Sequence, residues 1–431
     1  MPVTAVVGAQ WGDEGKGRIV DLLAGEADVV VRFQGGNNAG HTVVNERGKF
    51  ALHLVPSGIF NPQAQCIIGT GVVVDPVALW QEMQELSQAG VSMERLVISE
   101  RAQVVLPYHR LLDALDERRR GARKVGTTLK GIGPAYADKA ARAGLQMGDL
   151  LDEDYLWARL EPLVAWKNRL LTQVFEVEPL SAEAIFEELR QVARFLAPYI
   201  RDTLPLLEEA LARDRRILLE GQLGALRDLD WGTYPYVTSS NPTAGGACSG
   251  AGLPPAAITQ VLGVAKAYTT AVGEGPFPTE LRDETGNFLR EEGGEYGATT
   301  GRPRRCGWFD AVAVRYSARL NGFTGLALTK LDVLDHLDRI RIGVAYRYGD
   351  QILDRVPMTR LMEQVEPVYE EMEGWRTSTI GVRTYEDLPP AAQAYVSRLE
   401  ELIKVPIKLI SVGPERHQIV FTGALARLLV G

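Results

Sequence analysis

The chain opens on a strand signal that runs straight into a glycine loop and then a helix. Residues 3–8 form a short apolar, β-branched run ending in Gly8-Ala-Gln-Trp-Gly-Asp-Glu-Gly-Lys-Gly17, and a helical pattern follows over 15–24. The same kind of run recurs at 28–33, 66–68, 96–99, 217–220, 326–330 and 407–411. Amphipathic stretches such as 76–89, 107–120, 310–321 and 391–404 lie between them. Strands alternating with helices specify an α/β fold, with a mostly parallel central sheet flanked by helices. In such sheets ligands gather in the loops at the C-terminal ends of the strands.

One stretch breaks the alternation. No glycine occurs between Gly148 and Gly221, and the spacing of apolar residues there is helical. The expectation is an all-α lobe over residues 100–215 inserted into the sheet domain. No internal repeat or low-complexity linker appears, so residues 1–431 are read as one unit.

Bulk charge narrows the function classes. Forty-seven basic against 55 acidic residues give a net charge of −8, with no long basic stripe, so no nucleic-acid partner is expected. The densest basic run, Arg118 to Arg120 with Arg123 and Lys124, reads as the exposed end of a helix. Cys66, Cys248 and Cys306 are too scattered for a disulfide framework or a CxxC metal site. No apolar run approaches the roughly 18 residues of a membrane span, and no leader pattern precedes Val3. A cytoplasmic protein without membrane contact is expected.

Glycine is in excess, at 44 of 431 residues against a typical share of about 7%, and the excess is local. In the first loop, free N–H groups at a helix start and the charge of Lys16 suit an anion. The spacing is not that of a P-loop: six residues separate Gly8 from Gly15, and Gly17 stands where a Mg²⁺-binding Ser or Thr would be. Asp13 within such a loop needs a cation between it and a phosphate, or a proton to take. Its alternative is a helix cap. The second loop, Gln34-Gly-Gly-Asn-Asn-Ala-Gly-His-Thr42, places His41 after another strand, either as a hydrogen-bonding partner or as a donor to a phosphoryl oxygen.

Thr329-Lys-Leu-Asp332 ends an apolar run with the Lys-x-Asp spacing by which GTP-binding proteins read guanine. A carboxylate can accept two parallel hydrogen bonds from guanine N1–H and its 2-amino group; an ordinary surface Lys and a capping Asp are the alternative. Residues 411–414 (Ser-Val-Gly-Pro) could pack the other side of that base. The segment 297–308 holds two adjacent threonines and three arginines between glycines, a loop suited to carboxylates or phosphates. Two further Gly/Thr-rich segments, 126–134 and 238–246, imply more than one anionic ligand.

Taken together, the segments WGDEGKG (11–17), QGGNNAGHT (34–42), GTT..GIGPAY (126–136), WGTYPYVTSSN (231–241), GPFPTEL (275–281), GATTGRPRRCGW (297–308), TKLDVLD (329–335) and SVGPER (411–416) span nearly the whole chain. In them the chain resembles the adenylosuccinate synthetase family. The resemblance implies GTP-dependent joining of L-aspartate to C6 of IMP through a 6-phosphoryl intermediate, with one Mg²⁺ per subunit.

It also implies residue roles. Asp13 would take the N1 proton of IMP, and His41 would donate to the phosphoryl group. Asp13 and the Gly40 carbonyl would hold Mg²⁺. Gly12, Asp13, Glu14, Gly15, Lys16, Gly17, Arg18, Gly40, His41, Thr42 and Arg304 would surround the GTP phosphates. Lys330, Leu331, Asp332, Ser411, Val412 and Gly413 would hold guanine. Asp13, Lys16, Asn38, Thr128, Thr238 and Arg302 would contact IMP, and Thr299, Thr300, Gly301 and Arg302 the aspartate. Arg142 would reach the IMP site of a neighbouring subunit in a homodimer. One departure stands out: the family commonly reads GAQG where this chain has Gly221-Gln-Leu-Gly224, so Leu223 occupies the glutamine position. Either Gln222 reaches across or that contact is lost. Two rivals remain: a GTP-binding regulatory switch, which needs neither His41 nor the Thr/Arg loop, and an ATP-dependent ligase, which Lys330 and Asp332 disfavour.

Overall fold

The computed structural model describes residues 3–38, 40–45, 47–297 and 301–422. Among the described residues ten strands make the central sheet: β1 (Val3–Gly8), β2 (Val29–Arg32), β3 (Gln65–Ile68), β4 (Leu96–Ser99), β5 (Ile200–Arg201), β6 (Ile217–Gly224), β7 (Ile258–Lys266), β8 (Gly325–Thr329), β9 (Ile407–Ser411) and β10 (Ile419–Phe421). Their spatial order is β10-β9-β8-β7-β1-β6-β2-β3-β4-β5. All neighbours are parallel except β9 and β10.

The two-residue period of a strand explains why both faces are covered. Val6, Val30, Cys66, Ile68 and Leu218 join one buried cluster, while Val3, Ala5, Val7, Val29, Val31, Ile67 and Leu219 join another. Against the first face pack Ile19, Val20 and Leu23 of helix α1 (Lys16–Ala24) and Leu79, Met83 and Leu86 of α2 (Pro76–Gln88).

Between β4 and β6 come α3 (Pro107–Arg120), α4 (Ile132–Ala141), α5 (Glu153–Gln173), α6 (Ala182–Leu196) and α7 (Leu204–Ala212). Leu156, Leu160, Ile185 and Leu189 of α5 and α6 belong to the same buried cluster as the sheet face. This stretch is not wholly helical: Gln103–Val104 is a short strand, and β5 pairs with β4 at the sheet edge. The basic triplet Arg118 to Arg120 forms the exposed last turn of α3.

A second sheet lies outside the apolar runs that mark strands in the sequence. Arg339–Tyr348 pairs antiparallel with Gln351–Leu353 and Glu366–Glu373, and parallel with Phe309–Asp310. The acidic run Glu366–Glu373 carries no fully buried residue, so its strand character comes from its partner rather than from its own apolar pattern.

Chain order turns at β1. The strands β2 to β5 lie on one side of it and β7 to β10 on the other, with β6 inserted between β1 and β2. Loops leaving β1, β2, β6 and β7 therefore open into one crevice beyond the strand ends.

Candidate active site

That crevice is a cleft of about 1130 Å³ including its mouth. Trp11, Gly12 and Asp13 follow β1, Asn38 and Gly40 follow β2, Leu223 ends β6, and Val272 lies beyond β7. Thr128, Thr238, Arg302 and Arg304 also line the cleft.

The first loop is tied up internally. Glu14 is fully buried and accepts from the Gln10 N–H (3.1 Å), the Gly12 N–H (2.8 Å) and Lys16 Nζ (2.5 Å). Lys16 is thus paired within its own loop, and the anion-binding character rests on backbone donors at the start of α1. Gly15 takes the N-cap position at φ 92° with no side-chain cap, a left-handed conformation that glycine reaches without strain. A Cβ at Gly17 would meet the Cβ of His41 at 2.7 Å, so only glycine lets the hairpin beginning at His41 approach α1. Asp13 caps nothing: its carboxylate accepts from Arg304 Nε at 2.8 Å.

His41 begins the strand His41–Asn45 and is 7% exposed. Its Nδ1 lies 2.5 Å from Glu220 Oε1, and the same carboxylate accepts from the Ser57 N–H (2.8 Å) and hydroxyl (2.6 Å). With Nδ1–H directed at Glu220, Nε2 is the nitrogen left for chemistry. Burial lowers the His41 pKa, against the Glu220 hydrogen bond and charge. Burial also pushes on the Glu220 carboxyl, but His41, Arg32 and Ser57 hold it below its ordinary value.

The departure at 221–224 resolves by geometry. Gln222 is buried, accepts from Arg32 and donates through Nε2 to Asn38 Oδ1 at 2.5 Å. Leu223, at φ 62°, is the residue that lines the cleft. Gln222 therefore orients Asn38, and an apolar side chain takes its place on the cleft wall.

Thr128 is delivered by α3. Asp113 accepts from Thr127 Oγ1 (2.8 Å) and the Gly131 N–H (2.9 Å). One turn on, Glu117 accepts from the N–H groups of Val125 (3.0 Å), Gly126 (2.8 Å) and Thr127 (3.2 Å). Two carboxylates four residues apart on one helix face thus hold the loop 125–131. Arg302 donates to the Thr127 carbonyl at 3.2 Å, closing the cleft from the other side. Arg305, read with its neighbours as an anion clamp, is instead engaged by both oxygens of Glu280 at 2.7 Å and is structural.

A second locus forms where β8 and β9 end side by side. Lys330 sits in the left-handed region at φ 59° and opens the turn Leu331–Leu334 without a side-chain cap. Asp332 is therefore no helix cap; its Oδ1 is buried with no hydrogen-bond partner among the described residues, and burial pushes its pKa up to about 6. Leu331 and Val412 are fully buried. Arg18 ties the locus to α1, donating to Ser411 Oγ at 2.6 Å and to the carbonyls of Gly413 and Glu415; burial brings its pKa down to about 10 against the Asp332 charge.

The two loci are joined by Thr329, whose hydroxyl donates to the Glu14 carbonyl at 2.6 Å, and by Glu295, which accepts from both Arg304 and Lys330. Nothing in the sequence around Glu220 or Glu295 marks either residue for the site. Thr42 lies in the hairpin strand after His41, and Gly301 is exposed at φ 63°. Arg142, at the exposed C-terminal end of α4, does not line the cleft of its own chain. Thr299 and Thr300 lie outside the described residues.

Comparison with known proteins accords with this arrangement. A sequence model of adenylosuccinate synthetase matches residues 5–420. The adenylosuccinate synthetase of Heliobacterium modesticaldum is 56% identical over 424 residues, covering 98% of this chain and 99% of its own. That of Halothermothrix orenii is 53% identical over 414 residues, covering 96% and 97%. The structure of fully ligated adenylosuccinate synthetase from Plasmodium falciparum, 36% identical, superposes with a TM-score of 0.93 over 98% of this chain and all of that one. These relatives give the regulatory-switch alternative no support, and the chain belongs to the adenylosuccinate synthetase family of GTP-dependent ligases.

Proposed function

We propose that the cleft carries out the family's ligation, L-aspartate to IMP at the expense of GTP, in two steps with the following residue roles. Asp13 takes the N1 proton of IMP as O6 attacks the γ-phosphorus of GTP and GDP leaves. The aspartate amine then attacks C6, and phosphate departs to give adenylosuccinate. A ring amide oxygen is a very poor leaving group, so phosphorylation must come first. The placement of Asp13 carries this reading. Its loop starts the anion site at α1, and its carboxylate lines the cleft beside Asn38, Thr128, Thr238 and Arg302.

His41, positioned by Glu220, donates from Nε2 to the phosphoryl oxygens when protonated. Phosphoryl transfer is otherwise positioning and charge stabilisation, supplied by the N–H groups of residues 13–18, by Thr42 and by Arg304. Asp332 accepts the N1–H and 2-amino donors of guanine beside Lys330 and the backbone of residues 411–413. Thr299 to Arg302 take the aspartate carboxylates.

Mg²⁺ needs only one or two protein oxygens because it keeps water and phosphate ligands, and the Asp13 carboxylate with the Gly40 carbonyl fits that set. When bound, it offsets the charge that builds on the phosphoryl oxygens. The working unit in this reading is a homodimer in which Arg142 at the end of α4 enters the neighbour's IMP site. A cytoplasmic location accords with three free cysteines, and residues 1–431 act as one domain with the 100–215 lobe inserted.

With IMP, L-aspartate, GTP and Mg²⁺, absorbance should report adenylosuccinate; well-folded protein giving no product sinks the reading. Asp13→Ala should abolish turnover while GTP still binds. Surviving turnover would remove Asp13 as the base.

A further inference from the structure

Glu295 follows α8 (Glu284–Glu292) and lies outside the lining of the cleft. It is 0% exposed. Its Oε1 accepts from Lys330 Nζ (2.7 Å), Lys266 Nζ (2.7 Å) and the Tyr268 hydroxyl (2.5 Å). Its Oε2 accepts from Arg304 Nη1 (2.7 Å) and again Lys266 Nζ (2.7 Å). The backbone joins in, with the Arg304 N–H donating to the Glu295 carbonyl at 2.8 Å. Both oxygens are thus fully engaged, and the carboxylate has no lone pair aimed at a substrate.

The two outer partners do different work. Lys330 belongs to the base-reading turn, and Arg304 holds Asp13 at the phosphate end. Both side chains are long and would otherwise sample many rotamers. Lys266 cannot reach a ligand: it is buried and also donates to Thr270 Oγ1 at 2.8 Å. Its charge keeps Glu295 anionic. Burial works against that anion, yet Lys266, Lys330 and Arg304 hold its pKa well below the carboxylate range.

We propose that Glu295 is a positioning residue that couples base recognition to phosphate placement, by fixing Lys330 and Arg304 to opposite oxygens of one rigid carboxylate. The proposal rests on the ligase reading only for the names of the two subsites. Reorienting Lys330 towards a base changes the hold on Arg304, and the reverse.

The test is a double-mutant cycle in nucleotide binding, which needs no turnover. Dissociation constants for GTP, and for ITP, which lacks the 2-amino group, are measured by calorimetry for Lys330→Ala, Arg304→Ala and the double variant. The same cycle is then run in a Glu295→Gln background. The expected result is coupling of roughly fivefold or more in the parent chain. In the Glu295→Gln background it falls to within roughly twofold, and the GTP/ITP ratio falls with it. A merely structural role would lower the unfolding temperature and leave the coupling intact. Additive Lys330 and Arg304 effects in the parent overturn the proposal without any Glu295 variant, as does coupling that survives Glu295→Gln. Should that variant not fold, Glu295→Asp, too short to span both partners, must reduce the coupling. Coupled GTP binding without adenylosuccinate formation would condemn the ligase reading alone.

Discussion

His41 answers to two opposing demands: burial favours neutral imidazole, while phosphoryl protonation needs imidazolium. Burial prevails and holds the His41 pKa below its ordinary value, while Glu220 opposes that shift and fixes which nitrogen faces outward. A donor is active below its pKa and fails as pH rises through it. Glu220→Gln removes the interaction that raises the His41 pKa, so the alkaline limb of kcat against pH should move to lower pH. We expect kcat itself to fall roughly a hundredfold; an unshifted limb would dissociate Glu220 from the proton donor. At the other locus, Asp332→Asn leaves one acceptor and one donor facing two guanine donors. The GTP-over-ATP preference in kcat/KM should drop roughly tenfold or more, and an unchanged ratio would take Asp332 out of the base site. Asp13, His41, Lys330 and Asp332 were legible because each stands in a short polar motif after an apolar run. Glu295 was not: it follows Glu291, Glu292 and two glycines, and only contact with Lys266, Tyr268, Arg304 and Lys330 sets it apart from its exposed neighbours.

Among the elements, α3 does more than cover the sheet. Its inner face packs through Tyr108, Leu112 and Leu115, while Asp113 and Glu117 suspend the loop that presents Thr128. Asp113→Ala removes two hydrogen bonds from that loop, together worth about 1–3 kcal/mol of ordering. The KM for IMP should rise roughly tenfold with a smaller change in kcat, and steady-state kinetics with varied IMP would check it. Equal losses in both parameters would instead point to a role in the transition state. The amphipathic period of α3 could be read from sequence; the use of its acidic residues as loop hangers could not, because their partners lie beyond the helix in a segment without regular structure. The second sheet was missed for a related reason. Glu366–Glu373 has little apolar signal, and its backbone bonds are supplied by Arg339–Tyr348.

For the whole molecule, the turn in strand order at β1 decides where chemistry can occur, since loops from four adjacent strands converge only there. Arg142 stands apart from that convergence on the chain's own surface. If it completes the neighbour's site, Arg142→Leu and Asp13→Ala subunits are each inactive alone, yet a mixed dimer holds one intact site. Mixing equal amounts under exchange should restore roughly a quarter of parental activity, as random pairing in a two-fold dimer requires. No recovery despite verified subunit exchange would keep Arg142 out of the shared site.

The α/β class, the family and the polar motifs of the site are all written in the amino-acid order. These reside in local patterns: a buried strand reads as an apolar run, and a phosphate loop reads as glycines beside a charge. It takes the folded chain to show that Lys16 pairs with Glu14, that Gln222 orients Asn38 while Leu223 lines the wall, and that Glu220 and Glu295 stand behind the site. A buried charge is defined by the partners that compensate it. For Glu220 and Glu295 those partners come from other elements of the chain, and folding alone brings them together.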